Sequence, residues 1–278
     1  MPELRKDLIT ERWVIIATDR AKRPQEFRGS SSEPESSVCP FCPGHESQTP
    51  PELWAAREGG GPNQPGWKVR VIPNKFPALR IEGEMNREAE GIHDRMNGIG
   101  AHEVIIDTPE HKQALEEQPV AGIALGLTAC QERMIDLQRD ERFRYILAFK
   151  NVGREAGASL RHSHYQLIAT PVTPHRVKAK LAGARDYYQR KERSVFQDIL
   201  RHEQRDGRRI VFENGGFLVF CPFAPRFPFE LCILPRRQAA DFPAIKPEER
   251  LQLAEALKIA LGKLNRGLPD GTSKFCHG

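Results

Sequence analysis

The chain has 278 residues, 39% of them hydrophobic and 28% charged, with a formal net charge of +5. These are the totals of a globular protein of about two domains, and no apolar stretch approaches the roughly 18 residues of a membrane span. So mild a basic excess, without dense Lys/Arg clustering, suits an anionic small molecule and argues against a nucleic-acid partner.

The first apolar run, residues 13–17, is too short for a signal-peptide core. The six cysteines are unevenly spaced and do not form a secreted disulfide framework, so the expected location is a reducing cytoplasm. Residues 11–17 read as a buried strand. Residues 18–24 are a basic run ending in proline, read either as a solvated face or as Arg20 and Arg23 reaching a phosphate, whose oxygens match the guanidinium fork. Residues 28–37 are a polar loop. Then comes Cys39-Pro-Phe-Cys42-Pro-Gly-His45, a knuckle able to turn two thiolates onto one metal ion. A redox pair normally opens a helix, whereas Pro43-Gly44 makes a turn, so zinc is preferred, with unliganded thiols as the remaining alternative. Half a zinc site needs two further ligands from elsewhere.

Residues 67–73 form a strand, and residues 74–79 turn away from it. Residues 82–100 carry no clear pattern, and His93 and His102 read as ordinary histidines. Residues 103–111 make a strand ending in a proline turn that presents His111, by itself a surface histidine. From Pro119 the spacing of Ile123, Leu127, Cys130, Met134 and Leu137 predicts one apolar helix face, which makes Cys130 core. Residues 143–149 are a strand that delivers Asn151 to a glycine-bearing loop, and the loop feeds His162-Ser-His164-Tyr-Gln166. On a strand, side chains two apart share a face at about 6.6–7 Å, so His162, His164 and Gln166 are expected on one wall. Residues 176–205 form a long charged helical region, and residues 209–212, 217–220 and 229–234 are strands. Residues 247–264 are an amphipathic helix, and 267–278 are expected to be an unstructured tail. Residues 102–111 can be laid over 229–238, which suggests two related units, the second carrying Gln238 where the first has His111. Cys39, Cys42, His111 and one of His162 or His164 would close a four-ligand site with no open position, leaving the other histidine as nucleophile or base.

The Cys39-Pro-Phe-Cys42 knuckle and the run Asn151-x-Gly153-x3-Gly157-Ala158-Ser159-x2-His162-x-His164-x-Gln166 resemble the galactose-1-phosphate uridylyltransferase family of the histidine-triad superfamily. Arg20-Ala-Lys-Arg23-Pro24 and Asn74-x-Phe76-Pro-Ala-Leu79 match in the same order, and the likeness runs from about residue 10 to 265. The resemblance implies an α+β fold of two histidine-triad-like units, each an antiparallel sheet with packed helices. The units span 1–175 (catalytic) and 176–278, the second incomplete because the family continues with further strands. It also implies zinc on Cys39, Cys42, His111 and His162, with His164 as nucleophile toward the α-phosphorus of a sugar nucleotide. Gln166 would hydrogen-bond the nucleotidyl-histidine, while Asn151, Gly157, Ala158 and Ser159 would cradle phosphate. Asn74 would touch uridine, and Arg20 and Arg23 would be supplied across a homodimer interface.

The activity implied is transfer of UMP between glucose 1-phosphate and galactose 1-phosphate, with UDP-glucose and hexose 1-phosphate as partners. The alternatives are an ADP-sugar phosphorylase with the same histidine chemistry and a zinc-stabilised nucleotide-binding module without catalysis. Two departures stand out. Ser163 replaces the family's proline between the histidines, which is expected to loosen the backbone while keeping the spacing. A second metal site found in some relatives has no ligands here: residues 194–197 and Gln238 occupy its positions, and Lys180 stands where an iron-binding glutamate would be. A plain histidine-triad hydrolase would carry a third histidine at Gln166.

Overall fold

The computed structural model describes residues 2–17, 39–153, 156–267 and 275–277. In chain order the first elements are strands β1 (Glu3–Lys6), β2 (Trp13–Ile16), β3 (Trp54–Arg57), β4 (Trp67–Pro73), β5 (Glu88–Glu90), β6 (His93–Asn97) and β7 (Ala101–Ile106). Helix α1 (Val120–Leu137), β8 (Tyr145–Val152) and β9 (His164–Thr170) follow. Then come α2 (His175–Lys191), α3 (Val195–Asp206), β10 (Ile210–Glu213), β11 (Phe217–Phe220), β12 (Cys232–Pro235), α4 (Pro247–Gly267) and β13 (Phe275–His277). The named strands pair antiparallel throughout, and the fold is α+β.

Two compact units emerge. One comprises Met1–Gln113, Ala129–His175 and Ser273–Gly278, the other Ala114–Thr128 and Arg176–Thr272. The first unit holds a six-stranded sheet of order β13-β8-β9-β7-β4-β3 and a four-stranded sheet of order β2-β1-β6-β5. All six residues of β7 are buried, as a central strand covered on both faces requires. Leu4, Leu79 and Met96 close a small core with Trp13, Ile15, Ile168 and Val172 around it. In the second unit β11 is buried at every position, and its alternation sorts the faces. Phe217 and Val219 pack with Ala256 and Ala260 of α4, while Leu218 and Phe220 pack with Leu200 of α3.

Several sequence expectations change. The helical region over 176–205 is two helices, because Glu192 takes a left-handed φ of 55°, which an L-residue helix does not continue through. The patternless residues 82–100 contain β5 and β6, whose charges pair across the ribbon, Arg95 with Glu88 at 3.0 Å. The strand over 11–17 lies at a sheet edge and is half-exposed rather than buried. The segment expected as a tail ends in β13, which pairs Cys276 with Asn151, since β8 offers an otherwise open row of backbone donors and acceptors. The five α1 positions assigned to the core are all buried, and burial pushes the Cys130 thiol up to about 12. Helices α1 and α4 start nine residues after His111 and Gln238 alike, in keeping with the internal echo. No helix among the described residues is long and apolar enough to cross a membrane.

Candidate metal centre and nucleotidyl site

Backbone turns build the knuckle first. Cys42 N–H donates to Cys39 O at 3.2 Å and His45 N–H to Cys42 O at 3.1 Å. Gly44 carries the φ of +89° that reverses the chain. The buried Glu46 clamps the turn from behind, its carboxylate accepting from Gly44 N–H at 2.9 Å and from the indole Nε1–H of Trp67 at 2.8 Å. His45 donates from Nδ1 to Cys39 O at 2.8 Å, so it faces the backbone and not the thiols. Cys39 and Phe41 then pack with Trp67, Ile72, Val104 and Ile106 in one apolar cluster.

Strand register brings the histidines to this knuckle. Ile106 pairs with His164, so the turn after β7, which carries Thr108 and His111, sits beside the approach to β9. The strand opens at His164, and His162 lies just before it rather than within it. His162 is 1% exposed. Its Nε2–H donates to Thr108 O at 2.8 Å, which leaves the Nδ1 lone pair facing the sulfurs of Cys39 at 3.7 Å and Cys42 at 3.6 Å. His111 Nδ1 lies 3.3 Å from Cys42 Sγ. The ligand atoms of Cys39, Cys42, His111 and His162 all fall within 4.8 Å of one another. Tetrahedral zinc with Zn–S of about 2.3 Å and Zn–N of about 2.0–2.1 Å places sulfur and nitrogen about 3.5 Å apart, and the observed separations match. Burial lowers the His162 pKa, favouring the neutral ring that a metal ligand must be. The four residues fit a metal ion.

His164 is buried, and its ring meets Phe41 edge-on at 5.3 Å between centroids. Its Nδ1–H donates to the carbonyl of His162 at 2.7 Å, so the neutral ring keeps its lone pair on Nε2. That nitrogen makes no hydrogen bond among the described residues. Burial, the larger effect, pulls the His164 pKa down to about 4, and the imidazole is neutral at pH 7.

Gln166 follows on the same face of β9, and its Oε1 lies 3.0 Å from His102 Nε2. Asn74 closes the turn after β4. Its N–H donates to His102 O at 2.8 Å, its Oδ1 accepts from Phe76 N–H at 2.9 Å, and its Nδ2 lies 3.1 Å from His102 Nε2. Asn151 stands on β8 with a buried Oδ1 that has no hydrogen-bond partner among the described residues. The loop closes through Ala158 N–H to Gly153 O at 3.2 Å. Gly157, at φ +83°, lies beside the Asn151 amide, 3.9 Å from where its Cβ would be. Leu160 just beyond Ser159 packs on the knuckle cluster. Arg20 and Arg23 lie outside the described residues.

The Ser163 side chain is tied into a buried polar network. The buried Lys150 Nζ donates to Ser163 Oγ at 2.6 Å and to Asp107 at 2.9 and 3.1 Å, and Ser163 donates in turn to Asp107 Oδ2 at 3.2 Å. This network holds the Ser163 side chain between the two histidines. Phe41, His102, Lys150 and Asp107 were not singled out as site residues in the sequence. The signal for the last two was a lysine and an aspartate inside otherwise apolar strand ends.

The family described as galactose-1-phosphate uridyl transferase, N-terminal domain, matches residues 1–174. The chain is 35% identical to the ADP-glucose phosphorylase of Arabidopsis thaliana, covering 97% of this chain and 76% of the relative. It is 29% identical to the galactose-1-phosphate uridylyltransferase of Thermotoga maritima, covering 96% and 76%. A solved uridylyltransferase superposes with a TM-score of 0.77 at 30% identity, over 96% of this chain and 77% of that one. The crystal structure of the Arabidopsis thaliana ADP-glucose phosphorylase with bound ADP-glucose gives 0.73 at 33%, over 96% and 79%. The chain belongs to the galactose-1-phosphate uridylyltransferase family and is an enzyme of the nucleotidyltransferase class.

Proposed function

We propose that this enzyme moves a nucleotidyl group from a nucleoside-diphosphate hexose to an acceptor phosphate through a covalent intermediate on His164. One observation carries the reading: Nδ1 of His164 is committed to its own strand's carbonyl at 2.7 Å, which leaves the Nε2 lone pair to attack. Nε2 bonds to the α-phosphorus as the bond to the hexose-1-phosphate oxygen breaks, and that oxygen departs with the electron pair. In the second half an acceptor phosphate oxygen attacks the same phosphorus, and the P–N bond returns its electrons to Nε2. Two half-reactions through one covalent species are a ping-pong scheme. The ring becomes positive while it carries the nucleotidyl group, and the His162 carbonyl at Nδ1–H stabilises that charge.

The Gln166 amide, the Ser159 hydroxyl and the N–H groups of the Gly157-Ala158 turn serve as donors for the charge that builds on phosphate oxygen. Asn151 and Asn74 complete the substrate contacts in this reading, and Arg20 and Arg23 reach the phosphates from a second copy in a homodimer. Cys39, Cys42, His111 and His162 hold zinc; with four protein ligands it supplies rigidity and not an open coordination position. A cytoplasmic setting keeps the thiols reduced.

UDP-glucose as donor and hexose 1-phosphate as acceptor are what the family likeness supports, with UMP moving between glucose 1-phosphate and galactose 1-phosphate. A second reading, ADP-glucose with inorganic phosphate as acceptor, is favoured by the 35% identity to the ADP-glucose phosphorylase against 29% for the Thermotoga maritima uridylyltransferase. Incubating wild type and His164→Ala with UDP-glucose or ADP-glucose labelled at the α-phosphate tests both. Acid-labile label on the wild type alone supports the chemistry, and the donor that gives it names the base. A wild type that binds nucleotide yet never takes label is a binding module, and the covalent scheme is then wrong.

A further inference from the structure

We infer that His102 is the positioning residue that sets which end of the Gln166 amide faces the reacting phosphate, an inference that rests on the reading of His164 and Gln166 just given. His102 sits on the fully buried β7, 4% exposed. Its Nδ1 accepts the backbone N–H of Ala78 at 2.9 Å. A neutral imidazole carries one ring proton, so that proton is on Nε2. Gln166 Oε1 lies 3.0 Å from Nε2 and Asn74 Nδ2 lies 3.1 Å from it. The Asn74 amide is itself oriented, because its Oδ1 holds the Phe76 N–H at 2.9 Å. Its nitrogen is a donor, and the Nε2 proton therefore goes to the oxygen of Gln166.

Through this one ring a backbone N–H orients an amide 64 positions beyond His102. Turning Gln166 over would replace the acceptor at Nε2–H by a second NH2 beside that of Asn74, and in a buried place an unmet donor is costly. The amide is thus held with its oxygen toward β7. Its nitrogen makes no hydrogen bond among the described residues, so both N–H groups remain for a phosphate oxygen. A donor fixed before the charge develops needs no reorganisation when it does. A glutamine that rotated freely would offer its carbonyl to the phosphate half the time, and oxygen against oxygen repels.

Two variants separate this role from simple packing. Asparagine places an oxygen near the position of Nδ1 and can keep the Ala78 bond, but it cannot reach Gln166. Glutamine places an amide nitrogen near the position of Nε2 and can keep the donor. The assay is single-turnover labelling with saturating α-phosphate-labelled donor, using whichever of UDP-glucose or ADP-glucose labels the wild type. His102→Asn is expected to label about tenfold more slowly, the loss of one hydrogen bond made in the transition state, with donor affinity nearly unchanged. His102→Gln should recover most of the rate. His102→Asn added to Gln166→Ala should slow labelling no further than Gln166→Ala alone, because nothing is left to orient.

A His102→Asn enzyme that labels at the wild-type rate overturns the inference, and so does full additivity with Gln166→Ala. Should the asparagine variant not fold, nitrogen-15 NMR of the wild-type histidines decides: an Nε2–H tautomer at His102 is expected, and an Nδ1–H tautomer refutes it. A wild type that takes no label removes the reading of His164 and this inference together, whereas labelling that ignores His102 removes this inference alone.

Discussion

Replacing Lys150 by methionine strips the ammonium from a pair whose side chains are 2% and 0% exposed. At 2.9 Å and an effective dielectric of about 20, the attraction between the two charges is about 6 kcal/mol. Several kcal/mol of desolvation per ion offset it, so the intact pair contributes little net stability. Breaking it is another matter. The Asp107 carboxylate would keep its desolvation cost without the charge facing it, and Lys150→Met is expected to cost about 3–5 kcal/mol. Methionine still fills the place over the Tyr165 ring, where the ammonium sits 4.6 Å from the centroid, so lost packing adds little. Lys150→Met with Asp107→Leu removes both charges and should recover most of the loss. Urea unfolding of wild type, both single variants and the double variant gives the coupling energy directly. A single variant costing under about 1 kcal/mol, or a double variant as unstable as the sum of the singles, would refute the claim that a buried ion pair anchors Ser163.

Cys39→Ser should drop bound zinc from one per chain to a small fraction and lower the melting temperature; elemental analysis showing unchanged metal would count against the four-residue site. His164→Ala should abolish the covalent label while metal content stays at the wild-type level, since the ring is outside the ligand set. Phe41→Ala removes a buried ring packed on both His162 and His164 and should cost about 3–5 kcal/mol, with slower labelling; unchanged kinetics and stability would mean that Phe41 does not brace the nucleophile. In the second unit the guanidinium of Arg237 holds the Glu249 pKa down at about 2. A carboxylate depressed in the folded state contributes stability that is present above its unfolded value, near 4.5, and lost as pH falls toward 2. The melting-temperature difference between wild type and Arg237→Met should therefore exist at pH 7 and shrink between pH 4.5 and 2, modestly because the pair is solvent-screened. A difference independent of pH would assign the effect to something other than that pair.

What was legible in the sequence was local. Two thiols three apart before a Pro-Gly turn, and the His164-x-Gln166 alternation on β9, carry their geometry in their spacing, and the structure sets Cys39, Cys42, His111 and His162 together. The one-faced helix α1 was legible for the same reason. His102 was read as ordinary because its partners lie elsewhere: Ala78 and Asn74 on the turn after β4, Gln166 on β9. Only the pairing of β7 with both strands brings them to one ring. The tether on the Ser163 side chain is not legible either, because Lys150 and Asp107 lie on β8 and after β7. The α2–α3 break was hidden in a uniformly charged stretch, where a single left-handed residue gives no periodic signal.

His162 works with two different parts of itself: its ring faces the thiols, and its main-chain oxygen holds the ring of His164, the proposed nucleophile. In the proposed scheme chelation and reactivity meet in a single amino acid, so a change at His162 disturbs both. A chelating agent applied gently should silence turnover while the sheets are still intact, and an engineer who swaps that ligand for cysteine inherits the duty of re-aiming the imidazole two places on.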